Sequence, residues 1–272
     1  MADPRPIGVF DSGVGGLTVV RAILDLLPDE PVIYFGDTAR SPYGPRPLDE
    51  IQGFAREIAA YLLDLDVKLL VVACNSVEVA AIDDLAERGR VPVMGVIEPG
   101  VRAALRATRN GRVGVIGTEA TIRSRAYEGA VAERVRLYSA ACPAFVPFVE
   151  RGDTTSEELA ASARRYLAPM RTAGVDTLIL GCTHYPLLSG LLRVVMGPDV
   201  LLISSAEETA KDVYAQLVGD DLLRPPGDEP PAHRFLCSGD PGSFLALAAR
   251  FLGPEAADVR ATSVQPSPAE ER

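Results

Sequence analysis

Two stretches of the chain hold residues that can do chemistry. Residues 69–76 read LLVVACNS and residues 176–186 read DTLILGCTHYP. Each is a short apolar run ending in a cysteine with polar neighbours behind it: Cys74, Asn75 and Ser76 in one, Cys182, Thr183 and His184 in the other. Such runs suit buried strands, and Gly181 lets the backbone turn. Both thiols are therefore expected at the C-terminal ends of strands, where parallel α/β sheets bind ligands. Cysteine is among the most buried residue types, so Cys142 and Cys237 are read simply as small apolar side chains. Cys74 and Cys182 differ because polar residues follow them and because the pattern occurs twice.

The recurrence extends beyond the cysteines. GVFDSG from Gly8 resembles GVIGTE from Gly114, and MGVIEP from Met94 parallels LLISSA from Leu201. These landmarks and the two cysteines are separated by nearly the same length of chain, which marks an internal duplication with a period far too long for a solenoid. The expected fold class is α/β: two similar lobes, each alternating strand and helix around a mostly parallel sheet. Packed with their strand ends facing, the lobes put one sulfur on each side of a shared cleft.

A thiol on either side of a small molecule suits inversion of a carbon centre. Taking the α-proton from an amino acid leaves a planar carbanion, and inversion needs a proton returned from the opposite face. A thiol of ordinary pKa, about 8.5, is a poor base for a carbon acid. The site must therefore activate it and hold the developing enolate with fixed donors. Two other chemistries compete. Cys74, Cys182 and His184 offer zinc two sulfurs and a nitrogen, but structural zinc wants four ligands in close-spaced pairs, and the other histidine, His233, sits in a Pro-rich loop. A Cys–His hydrolase would use His184 to activate Cys182 and leaves Cys74 without a task.

Composition narrows the partners. With 272 residues and 47% apolar side chains, the chain can bury a sizeable core. No apolar run approaches the roughly 20 residues of a membrane helix, and the opening MADPRPIGVF lacks a basic-then-apolar leader, so a cytoplasmic protein off the membrane is expected. Twenty-seven basic and 37 acidic residues give a net charge of −10 without a dense Lys/Arg run, which argues against nucleic acid. An anionic substrate must then be held by local donors such as helix N-termini. In a reducing compartment the four scattered cysteines should be thiols.

The elements that position these residues follow from punctuation and pattern. A strand over 7–10 runs into the Gly-rich turn Asp11-Ser12-Gly13-Val14-Gly15-Gly16 and a helix to Leu27. That turn lacks the Rossmann spacing and the P-loop Lys, but as a helix N-terminus it can hold a carboxylate, with Asp11 beside a thiol or an ammonium. A strand over 31–36 precedes the loop DTARSPYGPR, a helix to about 64, the Cys74 strand, a helix to about 88, and a strand over 91–96. The second unit has a strand over 112–116, one helix near 120–132, a strand near 135–139, a loop over 142–152, a helix to about 172, the Cys182 strand, and a helix over 187–195. A helix over 204–218, a Pro-rich loop over 225–233, a strand over 235–237 and a helix over 241–251 complete the chain. The lobes are expected at 1–97 plus 207–255 and at 98–206, with an unstructured tail over 256–272.

Together, GVFDSGVGGLTV, GDTARSPYG, ACNS, VIEPG, VGVIGT with Thr121, CPAFVPFVERG, LILGCTHYPLL and ISSAEETA resemble the cofactor-independent glutamate racemases of the aspartate/glutamate racemase superfamily. The resemblance spans residues 7 to about 251. It implies interconversion of L- and D-glutamate, which supplies D-glutamate for peptidoglycan, with no pyridoxal phosphate, cofactor or metal. By the same resemblance, Cys74 takes the proton from the D enantiomer and Cys182 from the L; Asp11 assists the first, Glu150 and His184 the second. Substrate contacts carry over to Asp11, Ser12, Tyr43, Gly44, Asn75, Ser76, Thr183 and His184, with Thr118 and Thr121 nearby. The resemblance implies two pseudo-symmetric lobes around the site and a last segment returning to the first lobe. Members of the family associate in different ways; a homodimer is the expectation for this chain. Ser76-Val77 stands where the family usually has Thr-Ala, which keeps the hydroxyl. Glu78 adds a charge early in the next helix, where the dipole favours it. Two rival readings are a racemase for aspartate and a two-lobed amino-acid binding module; the latter explains a cleft but not paired thiols.

Overall fold

The computed structural model of the chain describes residues 3–131, 133–225, 227, 229–253 and 261–263. β1 (Ile7–Asp11) leads through the Gly-rich turn into α1 (Leu17–Leu26), followed by β2 (Val32–Gly36), α2 (Leu48–Asp64), β3 (Leu69–Val72), α3 (Asn75–Arg88) and β4 (Val93–Met94). α4 (Ile97–Ala107) opens a second set: β5 (Arg112–Gly117), α5 (Glu119–Ser124), α6 (Ala126–Val131), β6 (Arg136–Ala141), α7 (Phe145–Glu150), α8 (Glu157–Thr172), β7 (Thr177–Gly181), a 3-10 turn (Tyr185–Leu188), α9 (Ser189–Met196) and β8 (Leu201–Ile203). α10 (Ala206–Gly219) returns to the first set, which gains β9 (Arg234–Cys237), α11 (Pro241–Leu252) and β10 (Ala261–Ser263).

Every strand pairing is parallel. One sheet runs β10-β9-β2-β1-β3-β4 and the other β6-β5-β7-β8. The core order β2-β1-β3-β4 thus recurs four strands later, which is the duplication in three dimensions. Cys74 follows β3 and Cys182 follows β7, so the two thiols leave equivalent strands.

The strands are buried on both faces, as parallel sheets flanked by helices must be, and their Val, Ile and Leu runs answer that demand. Leu69–Val72 and Thr177–Gly181 are buried at every position. α2 and α3 cover one face of the first sheet, packing Ile51, Ala55, Ile58 and Leu62 against Leu70 and Val72. On the other face, a continuous core runs from Ile7, Val9 and α1 through Val213 and Leu217 of α10 into Leu178, Leu180 and Leu192 of the second set. Each such side chain contributes about 1.5–3 kcal/mol when buried, so the lobes share apolar packing as well as covalent crossings.

Four details depart from the expected elements. The loop over 142–152 contains α7, because Phe145, Phe148 and Val149 bury one helical face and Pro147 lies in the first turn, where a missing N–H costs nothing. The single helix near 120–132 is two, divided at Arg125, which is left-handed at φ 58°, while Ser124 Oγ accepts from Ala126 N at 3.2 Å. The strand over 91–96 shortens to Val93–Met94, because Gly95 and Val96 already turn into α4. Within the tail expected to lack structure, Ala261–Ser263 pairs with β9 and extends the first sheet, since β9 would otherwise present an open edge of backbone donors and acceptors. The rest of 256–272 lies outside the described residues.

Candidate active site

The ends of β1 and β3 face the end of β7 across a small cavity. Both thiols, Cys74 and Cys182, line it, with Ser12, Tyr43, Gly44, Asn75, Ser76, Thr118, Thr183 and His184. Its volume is about 20 Å³, room for about one water and far less than an amino acid. A larger cavity of about 410 Å³ lies beside it, bounded by Gly13, Ser41, Glu150 and Phe244, and contains neither thiol. The smaller space is the candidate site, because that is where nucleophilic and polar groups converge.

Cys74 is the residue ahead of α3 and donates its thiol to Ser12 Oγ at 3.6 Å. Burial, and then the charge of Asp11, push its pKa up to about 12, so it stands as a thiol. Asp11 is fully buried at the end of β1. It accepts from Gly13 N at 2.7 Å and, across the cleft, from the Thr183 hydroxyl at 3.2 Å. Burial raises its pKa, while the His184 charge and these donors pull it back.

On the other side, His184 Nδ1 lies 3.8 Å from Cys182 Sγ, and its Nε2 lies 3.1 Å from Glu150 Oε1 at the end of α7. The Phe251 ring stands edge-on to the imidazole at 5.6 Å. Burial alone would lower the His184 pKa, but the hydrogen bonds to Cys182 and Glu150 overcome this and raise it to about 10. An imidazolium therefore places positive charge against the Cys182 sulfur. Because this pKa lies above the ordinary 6.5, folding favours the charged ring. The stabilisation is complete below pH 6.5 and is lost as pH rises toward 10. Melting curves of the protein and of His184→Gln across that range should show a deficit in the variant that shrinks with rising pH; a deficit that grows would remove the imidazolium.

The remaining donors span the cleft. Ser76 Oγ lies 2.8 Å from Thr118 Oγ1, which caps α5 by accepting from Thr121 N at 3.2 Å. The hydroxyl of Ser76 is thus engaged without the methyl group of threonine, and Val77 beside it is buried in the first-lobe core. Gly44 accepts from Ala120 N at 3.0 Å through its carbonyl, and a Cβ at Gly44 would lie 3.0 Å from Thr118 Cβ. Tyr43 is held by a hydrogen bond from its hydroxyl to Asp37, whose other oxygen accepts from Ser238 at 2.5 Å. Asn75 Nδ2 donates to Tyr127 OH at 2.9 Å, leaving its buried Oδ1 without a protein partner.

Of the residues expected at the site, Asp11, Glu150 and Thr121 stand behind the lining: Asp11 on Thr183, Glu150 on His184, Thr121 on Thr118. Ser41, Pro42 and Val146 line the cavity without having been expected. The first two lie within the DTARSPYG loop, whose Pro-Tyr-Gly turn was the available signal. Tyr127 and Glu78 were also missed as contacts, and Tyr127 carries no local signal because its place depends on how α6 docks. Among the described residues no group of three His, Cys, Asp or Glu side chains is placed to hold a metal ion, and no helix is long and apolar enough to cross a membrane.

The duplicated α/β fold, with one thiol from each half at a buried polar site, is what the chain shares with a family of racemases. The chain belongs to the Asp/Glu/hydantoin racemase family, whose model matches residues 7–213, and its relatives place it among the glutamate racemases of that family. The glutamate racemase of Parafrankia sp. is 58% identical over 266 residues, 97% of this chain and 95% of its own. Among solved structures, glutamate racemase isoform RacE1 of Bacillus anthracis superposes with a TM-score of 0.90 at 42% identity, covering 96% of this chain and 97% of that one. The Francisella tularensis glutamate racemase, solved in complex with D-glutamate, gives 0.89 at 36% identity, covering 97% and 98%.

Proposed function

We propose that the chain interconverts L- and D-glutamate by a two-thiol proton transfer. The observation that carries this reading is that Cys74 and Cys182, from equivalent strands, line one cavity. From L-glutamate, the Cys182 thiolate, facing the His184 imidazolium, takes the α-proton. The Cα–H bond breaks, an S–H bond forms, and the electron pair passes into the carboxylate as an enolate. Cys74, present as a thiol, gives its proton to the opposite face of Cα and is left as a thiolate. Exchange of both sulfurs with solvent restores the starting form, and D-glutamate runs the sequence backwards. Asp11 serves the Cys74 face, and His184 with Glu150 the Cys182 face. Ser12, Tyr43, Gly44, Asn75, Ser76, Thr118 and Thr183 hold the substrate, with Thr121 behind Thr118. The unpartnered Asn75 Oδ1 suits the α-ammonium.

The cavity of about 20 Å³ is smaller than glutamate, and on this reading the lobes part for entry. On this reading they divide at 1–97 plus 207–255 and at 98–206. The family resemblance extends the proposal to supply of D-glutamate for peptidoglycan; a cytoplasmic place and association as a homodimer are proposed alongside it.

Incubation of the protein with L-glutamate in deuterated water tests the reaction. Deuterium should appear at the α-carbon together with the D enantiomer, and turnover on L-aspartate should be far lower. Glutamate that stays unlabelled would leave only a binding module.

A further inference from the structure

Glu78 is a buried carboxylate for which the proton transfer has no task. It lies in the first turn of α3, close behind Cys74, and is only 6% exposed. Its oxygens reach away from α3 to the start of α4: Oε2 accepts from Val96 N at 2.6 Å and Ile97 N at 3.0 Å, and Oε1 from Ile97 N at 3.2 Å. Gly95 packs so closely that a Cβ there would lie 2.2 Å from Oε1. Residues 95–97 form the first crossing between the two sheets, from β4 into α4. The return crossing is adjacent, since a Cβ on Gly100 of α4 would stand 3.2 Å from the Cβ of Ser205, the residue ahead of α10. One carboxylate therefore ties the turn that carries Asn75 and Ser76 to the place from which the second lobe is hung. Two helix N-termini suit an anion there.

We propose that Glu78 is a positioning residue for racemisation: it pins the N-terminus of α4 to the first turn of α3 and so sets the second lobe, with Cys182, against Cys74. The lobes must part and reclose for each substrate, and the pin defines the closed setting to which they return. Its hold depends on ionisation. Burial pushes the Glu78 pKa up to about 8, the N–H groups of Val96 and Ile97 pull it down, and Glu98 on α4 pushes it up again. Tyr127 on α6 also feels the Glu78 charge. Protonation replaces one acceptor oxygen with a donor that has no acceptor among those N–H groups, so the pin tightens as pH rises through this range.

The inference rests on the two-thiol placement, which wild-type turnover and the cysteine variants test separately. Steady-state kinetics on Glu78→Ala and Glu78→Gln, each corrected for its folded fraction, test the pin. Expected is a kcat for Glu78→Ala lowered roughly tenfold to a hundredfold, with KM changed far less, since misplacing groups by about 1 Å costs on that order. Glu78→Gln, which keeps one acceptor, should recover part of the loss, and the ratio of wild-type to Gln kcat should widen between about pH 7 and 9, around the Glu78 pKa. Wild-type kcat in both variants, a loss accounted for by unfolded protein, or a ratio that does not widen with pH would overturn the proposal. Should Glu78→Ala not fold, the Gln variant alone decides, because it is read against wild type at each pH.

Discussion

Replacing either Cys74 or Cys182 with alanine is expected to lower racemisation by about 10³-fold or more, the upper range for loss of a positioned acid or base. Each thiol serves one face of the substrate, so neither can stand in for the other. Both sulfurs are buried, Cys74 5% and Cys182 6% exposed, but a buried Cys-to-Ala change removes little volume and costs on the order of 1–2 kcal/mol, so both variants should remain folded. The two should differ in a telling way. Cys182→Ala retains the thiol of the D face and should still exchange the α-hydrogen of D-glutamate with solvent deuterium without inverting it. Cys74→Ala should do the same with L-glutamate. Polarimetry measures the first effect and NMR in deuterated water the second. Near-normal inversion by either variant would end the two-thiol mechanism.

The second large effect is expected at a residue with no side chain. Gly15, in the turn after β1, comes so close to the opposite lobe that a Cβ there would lie 2.4 Å from His184 Nδ1 and 2.5 Å from Thr183 Oγ1. Real Cβ atoms do not approach other atoms so closely, so the imidazole and the hydroxyl must move or the lobes must stand apart. Gly15→Ala should therefore disturb the Cys182–His184 and Asp11–Thr183 contacts together and lower kcat about a hundredfold. The methyl group clashes across the cleft, and the first-lobe core is untouched, so stability should fall much less than activity. Kinetics alongside thermal melting test this. Full activity in Gly15→Ala would mean that the cleft is not closed in the reacting complex.

Repetition in the chain explains how much of the fold could be anticipated. Apolar runs ending in Gly, Cys or Asp located β1, β3, β5 and β7, because a strand buried on both faces needs an unbroken apolar run and the exit needs residues that turn. The departures came where local signals conflicted with packing. Pro143 and Pro147 look like breakers, but Pro147 falls in the first turn of α7, where a helix tolerates it. Arg125 carries no sign that it will adopt the left-handed backbone dividing α5 from α6. The three residues of β10 are too few to show a period, and they pair because β9 has an open edge.

At the site, residue type and order were sufficient to single out Cys74, Cys182 and His184, since a thiol with polar followers at a strand end is informative locally and doubly so when repeated. The sequence alone therefore determines that there are two equivalent strand ends and which chemical groups each presents. Only tertiary structure decides that these ends face each other across a space of about 20 Å³, that Thr183 of one lobe bonds Asp11 of the other, and that Glu78 reaches the N-terminus of α4. Each of those facts depends on how two separately wound sheets are set against one another. That setting draws on contacts between elements far apart in the chain, such as α4 with α10 and α3 with α5, and no single motif in the chain encodes it.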